Sequence, residues 1–422
     1  MFAGLSLDQA PPYKAPLKFF LTAPLFAIFA AGLLLFQDFY LHSGRFIAAL
    51  HLFTIGYIVM VVFGALLQML PVVAGAVIKK SLLIANITYG LIMFGIISFV
   101  LAFILNEKEY FFVSAILLFG GMFLFAYVCF YKLLEIQNRS WIINGMLFAL
   151  IGFICAFLIG IYMISEHAVQ DFSPFHHVFA NLHYNLIFFG FLFLLIASIS
   201  FQVIPMFWVS DSYLQRLQKY IVISVVVLLV FYIISTILEL HLDLIYKFLM
   251  GCVVAIFAVS TLQKLYNRKR KLKDISVYFY YTSMIFLLLG MVYWIALEFV
   301  EVSLINLGVL LGLGFVTSLM NGMLYKIVPF LTWFHLSSLG MFDVPTMRDM
   351  ISVQKSQLQF YIHLFAVLLL LLGFALESYY LINYGLILFI MSNTLLFFYL
   401  LSCAKLYFTK KAKHEAYTSR SK

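Results

Sequence analysis

Residues 56–71 read GYIVMVVFGALLQMLP, and two later stretches follow the same plan, GFLFLLIASISFQVIP at 190–205 and GFVTSLMNGMLYKIVP at 314–329. In each, a Gly-aromatic pair (Gly56-Tyr57, Gly190-Phe191, Gly314-Phe315) opens the run fifteen residues before a proline. A small residue (Gly64, Ser198, Gly322) sits seven before it, and Gln68, Gln202 or Lys326 sits three before it. With their apolar flanks these runs exceed 20 residues, the length a helix needs to cross about 30 Å of hydrocarbon. Fixed spacing in three copies 134 and 124 residues apart marks an internal repeat.

Similar apolar runs recur along the whole chain. They fall near 17–37, 46–72, 81–105, 110–131, 141–164, 178–208, 220–238, 244–265, 276–299, 303–333, 358–379 and 381–407. The chain has 422 residues, a mean hydropathy of +1.08 and 10% charged residues. Soluble domains carry about 25% charge, so a soluble globular protein is excluded. The fold expected is an all-α polytopic membrane protein whose twelve transmembrane helices form three pseudo-threefold-related four-helix units. One membrane domain spans 1–422, with internal units 1–139, 140–273 and 274–422 bounded by charged loops near Arg139 and Lys273.

The net charge of +9 is a matter of topology. With both termini on the cytoplasmic side, Arg45, Lys108 and Lys247 fall in outer loops, Lys326 falls in a span, and the other 22 of 26 basic residues face inward. That asymmetry fixes the orientation, and the location expected is a bacterial inner membrane with both termini cytoplasmic. The cluster Lys264, Arg268, Lys269, Arg270, Lys271 and Lys273 is then a short inner loop beside lipid headgroups, and no nucleic-acid partner is implied. Lys14 and Lys18 precede an apolar run from Phe19 to Phe36 with no A-x-A cleavage site, which reads as a retained first helix. Cys129, Cys155, Cys252 and Cys403 are scattered in apolar stretches without paired spacing and read as packing.

Polar residues inside such helices are costly and mark candidate sites. Gln68, Gln202 and Lys326, at equivalent places near the prolines, are read as the lining of an inner polar cavity. Lys326 either pairs inside the protein or snorkels to the inner surface. Seven of the ten histidines, His42, His51, His167, His176, His177, His183 and His241, map to the outer side. His51 lies 20 residues before Pro71 and His183 lies 22 before Pro205, so the two stand at matching depth in the first and second thirds. The third copy has Leu307 to Val309 there, with Asn306 and Ser303 nearby. Imidazoles presented from apolar helices suit haem iron, copper or zinc, whereas a solvated histidine hydrogen-bonds to carbonyls or water. His51 and His183 are the cofactor candidates of one outer site, with His176, His177 and His241 as further metal candidates.

Arg45 with Leu50-His51 leading into a Gly-rich helix that ends Gln68-Met69-Leu70-Pro71, and Leu182-His183-Tyr184-Asn185 leading to Pro205, resemble the second helix of subunit I in the haem-copper oxidase and nitric oxide reductase superfamily. The stretch from His51 to Thr54-Ile55-Gly56 resembles its NnrS-like branch of haem-containing membrane proteins linked to nitric oxide response. That resemblance implies twelve helices in three sets of four, a low-spin haem ligand at His51, and a second-metal ligand in the helix carrying His183. The chain departs from the pattern in helix ten, where Ser303 to Pro329 contains no histidine, and in helix seven, where Tyr220 to Leu238 lacks the paired histidines of the copper site. The function implied is a haem- or copper-binding inner-membrane protein of respiratory or nitric oxide metabolism without a complete binuclear centre. Its cofactor would be haem b or copper, and its partners membrane lipids, a respiratory complex or quinol, and further copies of itself. The alternative is a metal-free transporter or assembly partner of respiratory complexes on the same scaffold.

Overall fold

A computed structural model describes residues 10–37, 43–269, 271–341 and 343–420; His42 and Arg270 lie outside the described residues. Among the described residues twelve helices are long and apolar enough to cross a membrane, and the secondary structure is helical throughout. The protein is an all-α, multi-pass membrane protein. In chain order the helices are α1 Lys14–Leu34, α2 Gly44–Ala74, α3 Ser81–Leu105, α4 Lys108–Leu134, α5 Trp141–Val169, α6 His176–Trp208, α7 Gln215–Ile237, α8 Asp243–Tyr266, α9 Ile275–Ala296, α10 Leu304–Ser337, α11 Val353–Ala375 and α12 Tyr379–Arg420. Helix is the only local structure this sequence can adopt in lipid, because each backbone N–H and C=O must find its partner within the segment. Where the chain enters a helix, serine hydroxyls accept the first backbone N–H groups: Ser43 from Phe46 at 3.2 Å, Ser140 from Ile143 at 3.4 Å and Ser352 from Lys355 at 3.4 Å. Helix α12 runs on past its apolar part into the basic stretch Lys410 to Lys413, so it outlasts the span read from hydropathy.

Helices α2, α6 and α10, which carry the Gly-aromatic and proline pattern, differ from the rest in enclosure and winding. Helices α2, α6 and α10 are 31, 33 and 34 residues long and are the most enclosed of the twelve. Each is interrupted by one stretch of π-helix: Thr54–Val59 in α2, Leu186–Phe193 in α6 and Val309–Thr317 in α10. The Gly-aromatic pair of each copy lies inside that stretch. A π turn hydrogen-bonds i to i+5 and so inserts one residue, displacing a carbonyl from the regular ladder. In α10 the side chain of Thr317 uses such a carbonyl, donating to Gly312 O five residues back at 2.9 Å.

Small residues in these helices meet the helix that precedes each in sequence. On α2, a Cβ at Gly56 would lie 2.5 Å from Phe26 Cγ of α1, and one at Gly64 would lie 2.7 Å from Phe20 Cε1. On α10, a Cβ at Gly322 would lie 2.7 Å from Phe279 Cβ of α9. Helix α5 carries its own stripe, Gly145, Ala149, Gly152, Ala156 and Gly160, facing α6. A Cβ on Gly145 would reach 2.0 Å from Ser198 Oγ, and one on Gly152 would reach 2.5 Å from Gly190 O, so at Gly152 backbone touches backbone.

The helices form two compact units. The first holds Leu66–Leu272 and Met284–Leu307; the second holds Pro11–Ala65, Lys273–Ser283 and Gly308–Lys422. In the first, α3 and α4 pack through Gly95 against Leu118 and Gly121 against Leu91 and Ile92. In the second, α11 and α12 pack through Gly373 against Ile382 and Gly385 against Leu370. There the ring of Tyr13 stacks on Tyr407 with centroids 3.8 Å apart, and its hydroxyl meets Thr332 Oγ1 at 2.8 Å, tying the start of the chain to α10 and α12. Large apolar side chains such as Phe94, Ile116 and Val227 stay exposed, as surfaces facing lipid tails do.

The contact at Gly152 makes a direct test. Gly152→Val should lower the melting temperature of detergent-purified protein by an amount equivalent to about 1–3 kcal/mol of overpacking. Gly90→Ala, whose new methyl would meet nothing within 4 Å, should leave it unchanged or raise it. Equal melting curves for the two variants would mean that α5 and α6 do not meet at this glycine.

Candidate haem-type histidines and polar sites

His51 and His183 belong to different compact units. His51 stands on α2, half-buried, with Nδ1 2.9 Å from Ile47 O one turn back. His183 stands on α6, half-buried, with Nδ1 2.7 Å from Ala156 O of α5. The ring of His183 fits there because α5 carries Gly160 beside it: a Cβ at that residue would lie 3.0 Å from the ring carbon Cε1. A carbonyl can only accept, so in both residues Nδ1 carries a proton and donates it to that carbonyl. That is the tautomer in which histidines serve as ligands to iron or other metals, the anchored N–H setting ring orientation and basicity.

The π segments bring the two residues to one register. His51 lies three residues before the π segment that begins at Thr54, and His183 three before the one that begins at Leu186. Counting from the prolines left them two residues apart, whereas counting from the π turns makes them equal. The same count in α10, three residues before Val309, falls on Asn306. Asn306 is buried, and among the described residues its Oδ1 has no hydrogen-bond partner. The three helices thus carry His, His and Asn at one register.

The other histidine candidates have different surroundings. His176, the first residue of α6, directs Nδ1 to Glu166 Oε2 of α5 at 2.5 Å. The carboxylate is buried and also accepts the Ser173 backbone N–H at 3.0 Å. The imidazole of His167 packs edge-on against His176 with centroids 5.8 Å apart, and lines an open polar cleft of about 320 Å³ with Glu107, Lys108 and Glu109. His177 is exposed, and His241 is exposed with a left-handed φ of 51° in the turn between α7 and α8. Among the described residues no group of three or more His, Cys, Asp or Glu side chains gathers in a way that would hold a metal ion.

Gln68, Gln202 and Lys326 also meet three different environments. Gln68 is buried, and among the described residues neither its Oε1 nor its Nε2 has a hydrogen-bond partner; Gln202 is exposed. Lys326 is half-buried and forms an ion pair with Asp274, the residue just before α9. Asp274 also accepts the Ser276 hydroxyl at 2.6 Å and the Ser276 backbone N–H at 3.1 Å, so it caps α9 while neutralising the lysine of α10. Burial alone would raise the Asp274 carboxyl, but the Lys326 charge and these hydrogen bonds outweigh it and hold it below the usual carboxylate range.

Sequence reading missed Asp274 because it stands among the lysines of the basic loop, where its sign alone set it apart. Glu166, near the end of α5, likewise belongs to no motif in the sequence. No family model and no curated protein matches the chain. The superfamily resemblance rests on the residues quoted for it.

Removing one partner of the Lys326–Asp274 pair leaves a poorly hydrated charge. Lys326→Met should therefore cost roughly 1–3 kcal/mol, and the double variant Lys326→Met/Asp274→Asn should recover part of that loss. Because the folded carboxyl is held low, the pair stabilises the protein fully above the unfolded aspartate pKa of about 3.9 and fades as pH falls through the lower, folded value. Melting curves of the wild-type protein should drop more steeply than those of the double variant on acidification through this range. Parallel curves would show that the pair contributes nothing.

Proposed function

We propose that the chain is a haem-binding membrane protein in which His51 would hold a b-type haem, on a scaffold related to the haem-copper oxidase superfamily. The observation that carries this reading is the pair of anchored imidazoles. His51 and His183 each donate Nδ1–H to a backbone carbonyl and each stand three residues ahead of a π segment in corresponding helices. A copper or zinc ion asks the protein for three or four ligands, and the described residues gather no such group. A porphyrin supplies four nitrogens itself and asks only for one or two imidazoles, so haem b fits these residues better than copper. When bound, the haem would supply electron transfer or the binding of a small gas such as nitric oxide.

The protein's own part is to hold the ring. Ile47 O fixes the tautomer and orientation of His51, and Ala156 O with the bare face of Gly160 does the same for His183. The common register of π segment, glycine and proline supports three pseudo-threefold-related four-helix units. The inward excess of lysine and arginine supports a bacterial inner membrane with both termini cytoplasmic. Electrons would come from quinol or a respiratory complex.

Protein purified in detergent from haem-replete cells should show a Soret band and a pyridine haemochrome of the b type. His51→Ala should lose that haem while keeping its helical circular dichroism. Haem retained in full by the variant, or no haem in the wild-type protein, contradicts the proposal and leaves the metal-free transporter or assembly partner as the reading.

A further inference from the structure

The end of the first compact unit opposite His183 gathers positive charge around one short loop. Helix α6 ends at Trp208 and the chain returns into α7 at Gln215; the residues between them meet the far end of α8. Val209 holds a left-handed φ of 52°, a conformation that a β-branched residue keeps only where its surroundings impose it. The carbonyl of that strained residue accepts the backbone N–H of Lys269, in the chain after α8, at 3.0 Å. Tyr213 is buried, with its hydroxyl 2.9 Å from Thr261 Oγ1 of α8, and Lys264 Nζ stands 5.9 Å from the centroid of its ring. Arg268, four residues after Lys264, donates Nη1–H to Leu265 O at 2.8 Å. Three cations are thus fixed at residues 209–213 and the end of α8 rather than carried on a free loop.

Their charge has little to balance it within the unit. The stretches 209–219 and 264–272 hold two and five lysines and arginines against one acidic residue, Asp211. Asp211 Oδ1 is 3.6 Å from Lys269 Nζ, but the two side chains are 76% and 71% exposed, so water screens the pair. Basic side chains in other loops have nearer carboxylates: Lys132 Nζ lies 2.7 Å from Glu135, and Lys410 pairs with Asp343. Topology asks for lysine and arginine in such loops, but not that three of them be held against one loop without counter-charge. Phosphate oxygens answer this arrangement, since a guanidinium takes two of them in parallel and an ammonium a third. The apolar neighbours decide where the phosphate comes from. Leu214 and Tyr266, at the adjoining ends of α7 and α8, are 75% and 74% exposed. A soluble polyanion would leave both in water, whereas a lipid covers them with its glycerol and chains while its headgroup reaches the cations.

We propose that Lys264, Arg268 and Lys269, gathered on the α6–α7 loop, form a binding site for an anionic phospholipid, with its phosphate held by the three cations and its chains lying over Leu214 and Tyr266. The site needs only that this end of the unit lie at a membrane surface, and it is independent of haem at His51.

Native mass spectrometry of the full-length, detergent-purified protein titrated with palmitoyl-oleoyl-phosphatidylglycerol or palmitoyl-oleoyl-phosphatidylcholine tests it. The phosphatidylglycerol should bind more tightly. Each basic side chain beside an anionic headgroup contributes about fivefold in affinity, so Lys264→Gln/Arg268→Gln/Lys269→Gln should weaken phosphatidylglycerol binding by about a hundredfold and leave phosphatidylcholine binding unchanged. Lys79→Gln/Lys355→Gln/Lys413→Gln removes the same charge from exposed positions elsewhere and should keep the wild-type affinity. Lys269→Gln alone, at the most exposed of the three positions, should cost about fivefold and reads the site without the risk that the triple variant misfolds. Equal affinity for the two lipids, or equal losses in the two triple variants, would reduce the patch to general surface charge and overturn the proposal. Inorganic phosphate bound by the same residues as tightly as the lipid would give the site to a free anion and overturn it as well.

Discussion

A side chain on Gly152 would place its first carbon 2.5 Å from the carbonyl oxygen of Gly190, so α5 and α6 meet as they do only because Gly152 lacks one. In lipid the hydrophobic effect does not press helices together, and association falls to close packing and to the few polar contacts that close packing permits. The same dependence on missing side chains holds for α2 on α1, through Gly56 and Gly64, and for α10 on α9, through Gly322. These approaches set the rotation of each long helix, and the rotation in turn decides which residues look inward.

The imidazoles follow from that geometry. On α5 the stripe that touches Gly190 continues through Ala156 and Gly160, the two residues whose backbone and bare face receive His183. The packing seam is also the cradle of the ring. His51 needs no neighbour for its anchor, because Ile47 O of its own helix accepts its N–H. The π turns lie between these histidines and the prolines. The stretch in α6 has eight residues and that in α2 six, which is where the two-residue difference in sequence spacing lies, and in α10 Thr317 satisfies the displaced carbonyl of Gly312.

Hydropathy made the twelve spans legible, and Gly-aromatic, small residue and proline recur at one spacing in the three helices that carry π stretches. The π windings were not legible, since nothing in TIGYIV or LIFFGFLF distinguishes them from ordinary helix; only the uneven distances of 20 and 22 residues hinted at an inserted residue. Lys326 was recognisable as a costly group, but its partner was not. Asp274 lies 52 positions away in a loop whose lysines explain themselves by topology. His363, buried on α11, has a ring nitrogen 2.9 Å from Ser318 Oγ of α10, a partner 45 positions away that nothing in the sequence pairs with it.

The account turns on the common register of the three long helices, and an experimental backbone trace at high resolution measures it most directly. It should show i to i+5 winding at 54–59, 186–193 and 309–317, with His51, His183 and Asn306 each three residues ahead. Regular α-helix through any one of these stretches would remove an inserted residue and turn the residue ahead of it by about 100° around its helix. His51, His183 and Asn306 would then no longer share a register, and the account would be contradicted.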